Sequence, residues 1–208
     1  MSGSAQQQAV KRMLDEGAAV HASLAGGSLA ELVRAGEAVT AAIRAGHKLI
    51  WFGNGGSATQ SQHMAAEFVG RFCKERRSFP SISLTENMGS VTAIANDYRY
   101  ELIFARQLEG LGQPGDVAIG LSTSGASPNV LAGLRAAKEA GLATVGLTGA
   151  SGRRMRELCD ACILVPSTET ARIQEAHLAV GHLLCALVED ALIQDSSKCE
   201  VQRSKCNE

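Results

Sequence analysis

The chain has 208 residues, 45% hydrophobic and 20% charged, with a formal net charge of −1. That is the composition of a globular protein with one good core, and the near-neutral balance with 4% aromatics argues against nucleic acid or an anionic membrane as partner. No apolar stretch reads as approaching the roughly 20 residues of a bilayer span, and the N-terminus lacks the basic start and apolar core of a signal peptide, so the cytoplasm is the expected compartment.

In chain order, residues 5–24 read as a helix that Gly26 and Gly27 break. A second helix covers 29–45, with Leu29, Leu32, Val33, Val39 and Ile43 near one face. Gly46 stops it, and the apolar run 48–52 reads as a buried strand. Directly after it comes Gly53-Asn54-Gly55-Gly56-Ser57, which leads into a helix over 58–69 carrying His63 and Glu67. Residues 71–79 are a polar, basic loop, and 81–84 a short strand. Helical patterns over 87–95 and 100–111 flank a break at Asn96-Asp97. After a turn at 113–115, the strand 116–121 runs straight into Ser122-Thr123-Ser124-Gly125-Ala126-Ser127. Pro128 suits a first helical turn, with Ser127 as its expected cap, and that helix runs to Ala140. Strands at 143–147 and 161–165 enclose a short helix, and 170–194 is a long, mostly apolar helix. The polar tail 195–208 is expected to be disordered.

Short apolar strands alternating with helices predict an α/β fold: a doubly wound, five-stranded parallel sheet with helices on both faces and extra helices at both ends, in one domain over 1–194. The last helix is apolar most of the way round and wants burial on several sides, which a homo-oligomer supplies. Cys159 and Cys162 have CxxC spacing but no second pair to complete four zinc ligands, so they read as small apolar side chains beside a strand. Cys199 and Cys206, in the polar tail, are expected to be free thiols in a reducing compartment.

Chemistry is expected where the two strand–loop–helix units stand. Glycines after a strand permit a sharp turn, and the N–H groups that open the next helix suit an anion. Ser57 adds one hydroxyl, and Ser122, Thr123, Ser124 and Ser127 add four more, which match the acceptor oxygens of a phosphate. Two such loops at adjacent strand ends make a phosphosugar pocket. The first loop lacks the third glycine of a dinucleotide fingerprint, and no lysine follows it as in a P-loop, so no nucleotide cofactor is expected. His63 and Glu67, four apart, project from one helix face near that pocket, whereas His177 reads as structural.

With GNGGS, His63-Met-Ala-Ala-Glu67, Asn96-Asp97, STSGAS and Arg172-Ile-Gln-Glu-Ala-His177 in this order, residues 29–194 closely resemble the bacterial phosphoheptose isomerases of the sugar isomerase (SIS) fold group. The resemblance implies interconversion of D-sedoheptulose 7-phosphate and D-glycero-D-manno-heptose 7-phosphate, the opening step toward ADP-heptose for lipopolysaccharide. It implies a homotetramer with active sites between subunits. It assigns substrate contacts to Asn54, Gly55, Gly56, Ser57, Glu67, Asn96, Asp97, Ser122, Thr123, Ser124, Ser127 and Gln174, catalysis to Glu67 and His182, and zinc to His63, Glu67, Gln174 and His182. Gln174 and His182 are eight residues apart, about 12 Å along a straight helix, so to reach one ion with bonds of roughly 2 Å both side chains would have to stretch from opposite ends, unless the helix bends or two subunits supply them. At least one of the four is therefore expected from a neighbouring chain. Two rival readings are an adaptor of the same fold that binds the replication initiator, and an isomerase of another sugar phosphate.

Overall fold

The computed structural model describes residues 3–205, with side chains to Ile193. The elements in order are α1 (Gly3–Gly27), α2 (Leu29–Ala45), β1 (Leu49–Gly53), α3 (Gly56–Val69), β2 (Ser81–Ser83), α4 (Met88–Asp97), a 3-10 turn (Tyr100–Leu102), α5 (Ala105–Leu111), β3 (Val117–Ser122), α6 (Pro128–Glu139), β4 (Ala143–Gly149), α7 (Arg153–Arg156), β5 (Ala161–Val165) and α8 (Thr170–Lys205).

The five strands lie in the order β2-β1-β3-β4-β5, all parallel. Alternate residues of one strand face opposite sides, which splits the core in two. Leu49 and Trp51 of β1, with Val117, Ile119 and Leu121 of β3, pack under α2, α3 and α8. Ile50, Phe52 and Ala118 pack under α5 and α6. Both faces of the sheet are covered, as the apolar strands require. The order reverses between β1 and β3, whose register pairs Gly53 with Leu121. This is the switch point at which open α/β sheets bind ligands.

Three boundaries differ from the sequence reading. Gly26 and Gly27 close α1 rather than break it, and the chain turns at Ser28, whose hydroxyl donates to the Leu164 carbonyl at 3.1 Å. Asn96 and Asp97 belong to the last turn of α4. Helix α8 continues past Gln194 to Lys205 in its backbone, while residues 206–208 lie outside the described residues, as do the tail's side chains.

Over Thr170–Ile193 α8 is long and apolar enough to cross a membrane by length and composition, contrary to the sequence reading. Its packing explains that apolarity differently. Ile173, Ala176, Val180, Leu184 and Val188 are buried against the sheet and its neighbouring helices. Among the described cysteines Cys73, Cys159, Cys162 and Cys185 are free. The neighbouring Cys162, and then burial, push the Cys159 thiol up, while Cys159 draws Cys162 down against its own burial.

Candidate active site

Both hydroxyl-bearing loops sit at the carboxyl end of the sheet, side by side. In the first, Asn54 and Gly55 carry the chain from β1 into α3, with Gly55 at φ 56°, a conformation that favours glycine. Ser57 N–H donates to the Asn54 carbonyl at 3.0 Å. The Ser57 side chain is buried and Gly56 is exposed. In the second, Gly125 turns the chain at φ 63° and lies against Gly152 and Thr148, which leave no room for a side chain. Gly149 N–H donates to the Thr123 carbonyl at 3.1 Å, and Ser151 Oγ to the Ser124 carbonyl at 3.3 Å, so the end of β4 braces this loop.

Ser127 occupies the N-cap position of α6, and Pro128 the first turn, as read from the sequence, but Ser127 makes no capping bond. Its hydroxyl pairs instead with Ser122 Oγ at 3.0 Å. Asn129 is the side chain that accepts a main-chain N–H in this turn, from Val130 at 3.0 Å. Its amide also exchanges two hydrogen bonds, each 2.8 Å, with Asn54. The sequence reading missed Asn129, although an asparagine beside Pro128 at a helix start was a signal.

Helices α3 and α8 pack side by side in parallel. Gly56 meets Gln174, the Gln60 amide donates to the Gln174 carbonyl at 2.7 Å, Gly181 meets Met64, and His63 meets His182. Near the far end of this groove His63 Nε2 lies 3.1 Å from His182 Nε2 and 3.3 Å from Glu67 Oε1. Ligand atoms of all three residues lie within 4.8 Å of one another. Tetrahedral zinc with nitrogen and oxygen bonds of roughly 2.0–2.1 Å holds its ligands about 3.3 Å apart. The donor set and its spacing therefore fit zinc.

Gln174 stands apart from these three within the chain. A Cβ on Gly56 would lie 2.5 Å from Gln174 Nε2, so this amide rests on the start of α3. His63 is seven residues further on, about 10 Å along the axis. Asn96 and Asp97 are exposed and bonded to each other at 2.8 Å. Asp97 lines a cavity of about 710 Å³ beside β2 with Asn87, Ser90 and Arg106. The segment that follows reaches the first loop through Tyr100, whose hydroxyl donates to Asn54 Oδ1 at 3.1 Å.

The 71–79 loop supports the far end of the groove. Glu189 of α8 is 1% exposed and accepts the main-chain N–H groups of Phe72, Cys73 and Lys74 at 2.9–3.0 Å, and Arg76 Nε at 2.8 Å. Burial pushes this carboxyl up, but the four donors together outweigh it and hold Glu189 below the usual carboxylate range. Phe72, fixed in this way, stacks on the His182 ring with centroids 5.2 Å apart. His177, also on α8, is 1% exposed, and neither ring nitrogen has a hydrogen-bond partner. Burial pushes it down to about 4, against a smaller upward pull from the Thr148 main chain.

Residues 13–149 match the SIS domain family. The phosphoheptose isomerase of Rhodospirillum rubrum is 55% identical over 161 residues, 77% of this chain and 86% of that protein. The phosphoheptose isomerase of Nitratiruptor is 55% identical over 150 residues, 72% of this chain and 80% of that protein. The solved phosphoheptose isomerase of Neisseria gonorrhoeae superposes with a TM-score of 0.84 at 32% identity, over 89% of this chain and 99% of that one.

Proposed function

The chain belongs to the phosphoheptose isomerases, a family of SIS-domain proteins, and is an aldose–ketose isomerase; we propose that Glu67 and His182 move the protons of that reaction on sedoheptulose 7-phosphate bound between the two loops and the α3–α8 groove. The observation that carries this reading is the meeting of His63, Glu67 and His182 on the same helix pair whose start adjoins both loops. An adaptor without turnover has no need of that group.

Ketose–aldose conversion moves a proton between carbons 1 and 2 through an enediol. It needs one base that takes the proton and returns it, and a second group that serves the two oxygens. Glu67 is half-buried and can take the first role, and an imidazole such as His182, steadied by Phe72, can exchange protons with the oxygens. The loops hold the phosphate: helix N–H groups and the hydroxyls of Ser122, Thr123, Ser124 and Ser127 offer donors without a fixed positive charge. The sugar's reacting end then extends along α3 toward Glu67.

Zinc held by His63, Glu67 and His182 would polarise the sugar carbonyl as a Lewis acid, and because a carboxylate bound tightly to zinc is a poor base, Glu67 would have to release the metal to take the proton. Because Gln174 of the same chain rests at the other end of α3, we take the fourth ligand to be Gln174 of a second copy. We take the assembly to be a homotetramer; contact between copies, though not their number, is supported by Leu29, Val33, Leu183 and Leu187, which are exposed on α2 and α8. Val33 and Leu187 line a hollow of about 400 Å³ between these helices. The free thiols suit the cytoplasm, and the heptose product suits lipopolysaccharide precursor synthesis.

The test is incubation of the pure protein with sedoheptulose 7-phosphate, with and without a chelator, read by NMR for the aldose. Appearance of the heptose aldose supports the reading. Metal-loaded protein that converts none of it, while converting another sugar phosphate or none, refutes it.

A further inference from the structure

Asn54 and Asn129 face each other as a closed pair of amides. Asn54 Nδ2 donates to Asn129 Oδ1, and Asn129 Nδ2 donates to Asn54 Oδ1. A third bond settles which end of each amide is oxygen. The Val130 N–H donates to Asn129 Oδ1, so that atom is an acceptor and Asn129 must turn its Nδ2 toward Asn54. Asn54 Oδ1 then takes hydrogens from Asn129 and from the Tyr100 hydroxyl. Its own Nδ2 has two hydrogens and gives one to Asn129, which leaves one to donate. Asn129 is 2% exposed, at the start of the helix behind STSGAS, while Asn54 lies in the loop after β1. The pair joins the two loops across the switch point.

Resting on the reading that both loops hold the sugar phosphate, we propose that Asn129 is a positioning residue for the isomerase. With Tyr100 it locks the Asn54 amide so that its remaining N–H is offered to a phosphate or hydroxyl oxygen of the substrate, and it sets the spacing between the loops. Asn54 is thereby a donor only, and the pocket selects an acceptor oxygen at that point.

The experiment measures kcat and KM for sedoheptulose 7-phosphate in the metal-loaded enzyme and in Asn129→Asp, Tyr100→Phe, Asn54→Ala and the Asn54→Ala/Asn129→Asp double variant. Aspartate at 129 still accepts from Val130 and from Asn54, and a carboxylate in a first helical turn favours the helix. It lacks the hydrogen given to Asn54 Oδ1 and adds a negative charge, which the double variant controls for. A merely structural Asn129 therefore leaves Asn129→Asp close to wild type, which overturns the proposal. Positioning raises KM about tenfold, the worth of a hydrogen bond to a charged group, with kcat within about threefold. Tyr100→Phe, which adds no charge and does not depend on how well Asn129→Asp folds, raises KM in the same direction, and an unchanged KM there overturns the proposal. In the Asn54→Ala background the Asn129→Asp change adds no more than about twofold, because the group it positions is gone. The same KM penalty with and without Asn54 indicates charge repulsion and overturns the proposal. An active enzyme in which Asn54→Ala is silent overturns this proposal alone. A wild-type protein that does not convert the sugar removes the reading beneath it.

Discussion

His63 on α3 and His182 on α8 present their Nε2 atoms to each other at 3.1 Å, although the residues are 119 apart in sequence. Only one hydrogen can lie between two ring nitrogens, and Glu67 Oε1 crowds the same His63 nitrogen at 3.3 Å. A cation relieves this crowding of lone pairs. Wild-type protein should carry about one zinc per subunit, and His63→Ala, with one ligand removed, should carry well under half as much. Elemental analysis after dialysis against trace zinc checks this, and equal zinc in the two proteins counts against the site.

Glu67→Gln retains the shape of the side chain and removes its ability to take a proton. The residue is only half-buried, so stability should hold. Turnover should fall by about 10³-fold, within the range of general base catalysis. Exchange of solvent deuterium into carbon 1 of the sugar should vanish with it. A variant that still exchanges deuterium at the wild-type rate shows that the base is another group.

Both loops were legible because the apolar runs at β1 and β3 end in glycine and hydroxyl residues, a signal local to a few positions. His63 and Glu67 were legible for the same reason, being one helical turn apart. The limit set by helix rise on Gln174 and His182 was legible too, and Gln174 does lie at the other end of α3. What stayed hidden depends on contacts distant in sequence. The Asn54–Asn129 pair spans 75 residues, and the Glu189 bonds to the 71–79 loop span 113 to 117. No periodicity announces such pairs. Ser127 illustrates the opposite error: its position as a cap was clear, but a neighbouring hydroxyl, Ser122, competes for its side chain.

Glu189 ties Arg76 and three main-chain N–H groups beneath the ring that stacks on His182. Glu189→Ala leaves the Arg76 charge buried and unpaired, which should cost about 3–5 kcal/mol. Because the folded carboxyl is held below its unfolded value, this stability is present above the ordinary carboxylate range and is lost as pH falls through the folded value. Urea titrations at neutral pH and near pH 3 check both points. The difference between wild type and Glu189→Ala should shrink at the lower pH.

His177 sets a second, separate pH window. Buried and unpartnered, it stays neutral in the fold until about 4, whereas the unfolded chain protonates it near the ordinary histidine value of about 6.5. Between those values the unfolded state binds more protons, so stability rises with pH. Going down from 6.5 to 4 should cost about 3 kcal/mol. His177→Leu should flatten that slope. An unchanged slope in this variant would assign it to other histidines.

The place of Gln174 makes the assembly testable through activity. Within one chain its amide rests on Gly56, about two helical turns from His63. If the Gln174 that completes the site belongs to a second copy, then Gln174→Ala and His182→Ala damage different halves of one shared site. Each variant alone should be nearly inactive. Oligomers formed from both contain some sites with an intact His63–Glu67–His182 group and an intact Gln174 from the other copy. Co-expression, or mixing after mild dissociation, should therefore restore a measurable fraction of wild-type turnover. Mixing should not rescue either variant with Glu67→Ala/Gln174→Ala: paired with His182→Ala, neither chain supplies an intact His63–Glu67–His182 group, and paired with Gln174→Ala, neither chain supplies Gln174. Mixed oligomers of Gln174→Ala and His182→Ala that remain as inactive as their parents place all of the required groups on a single chain.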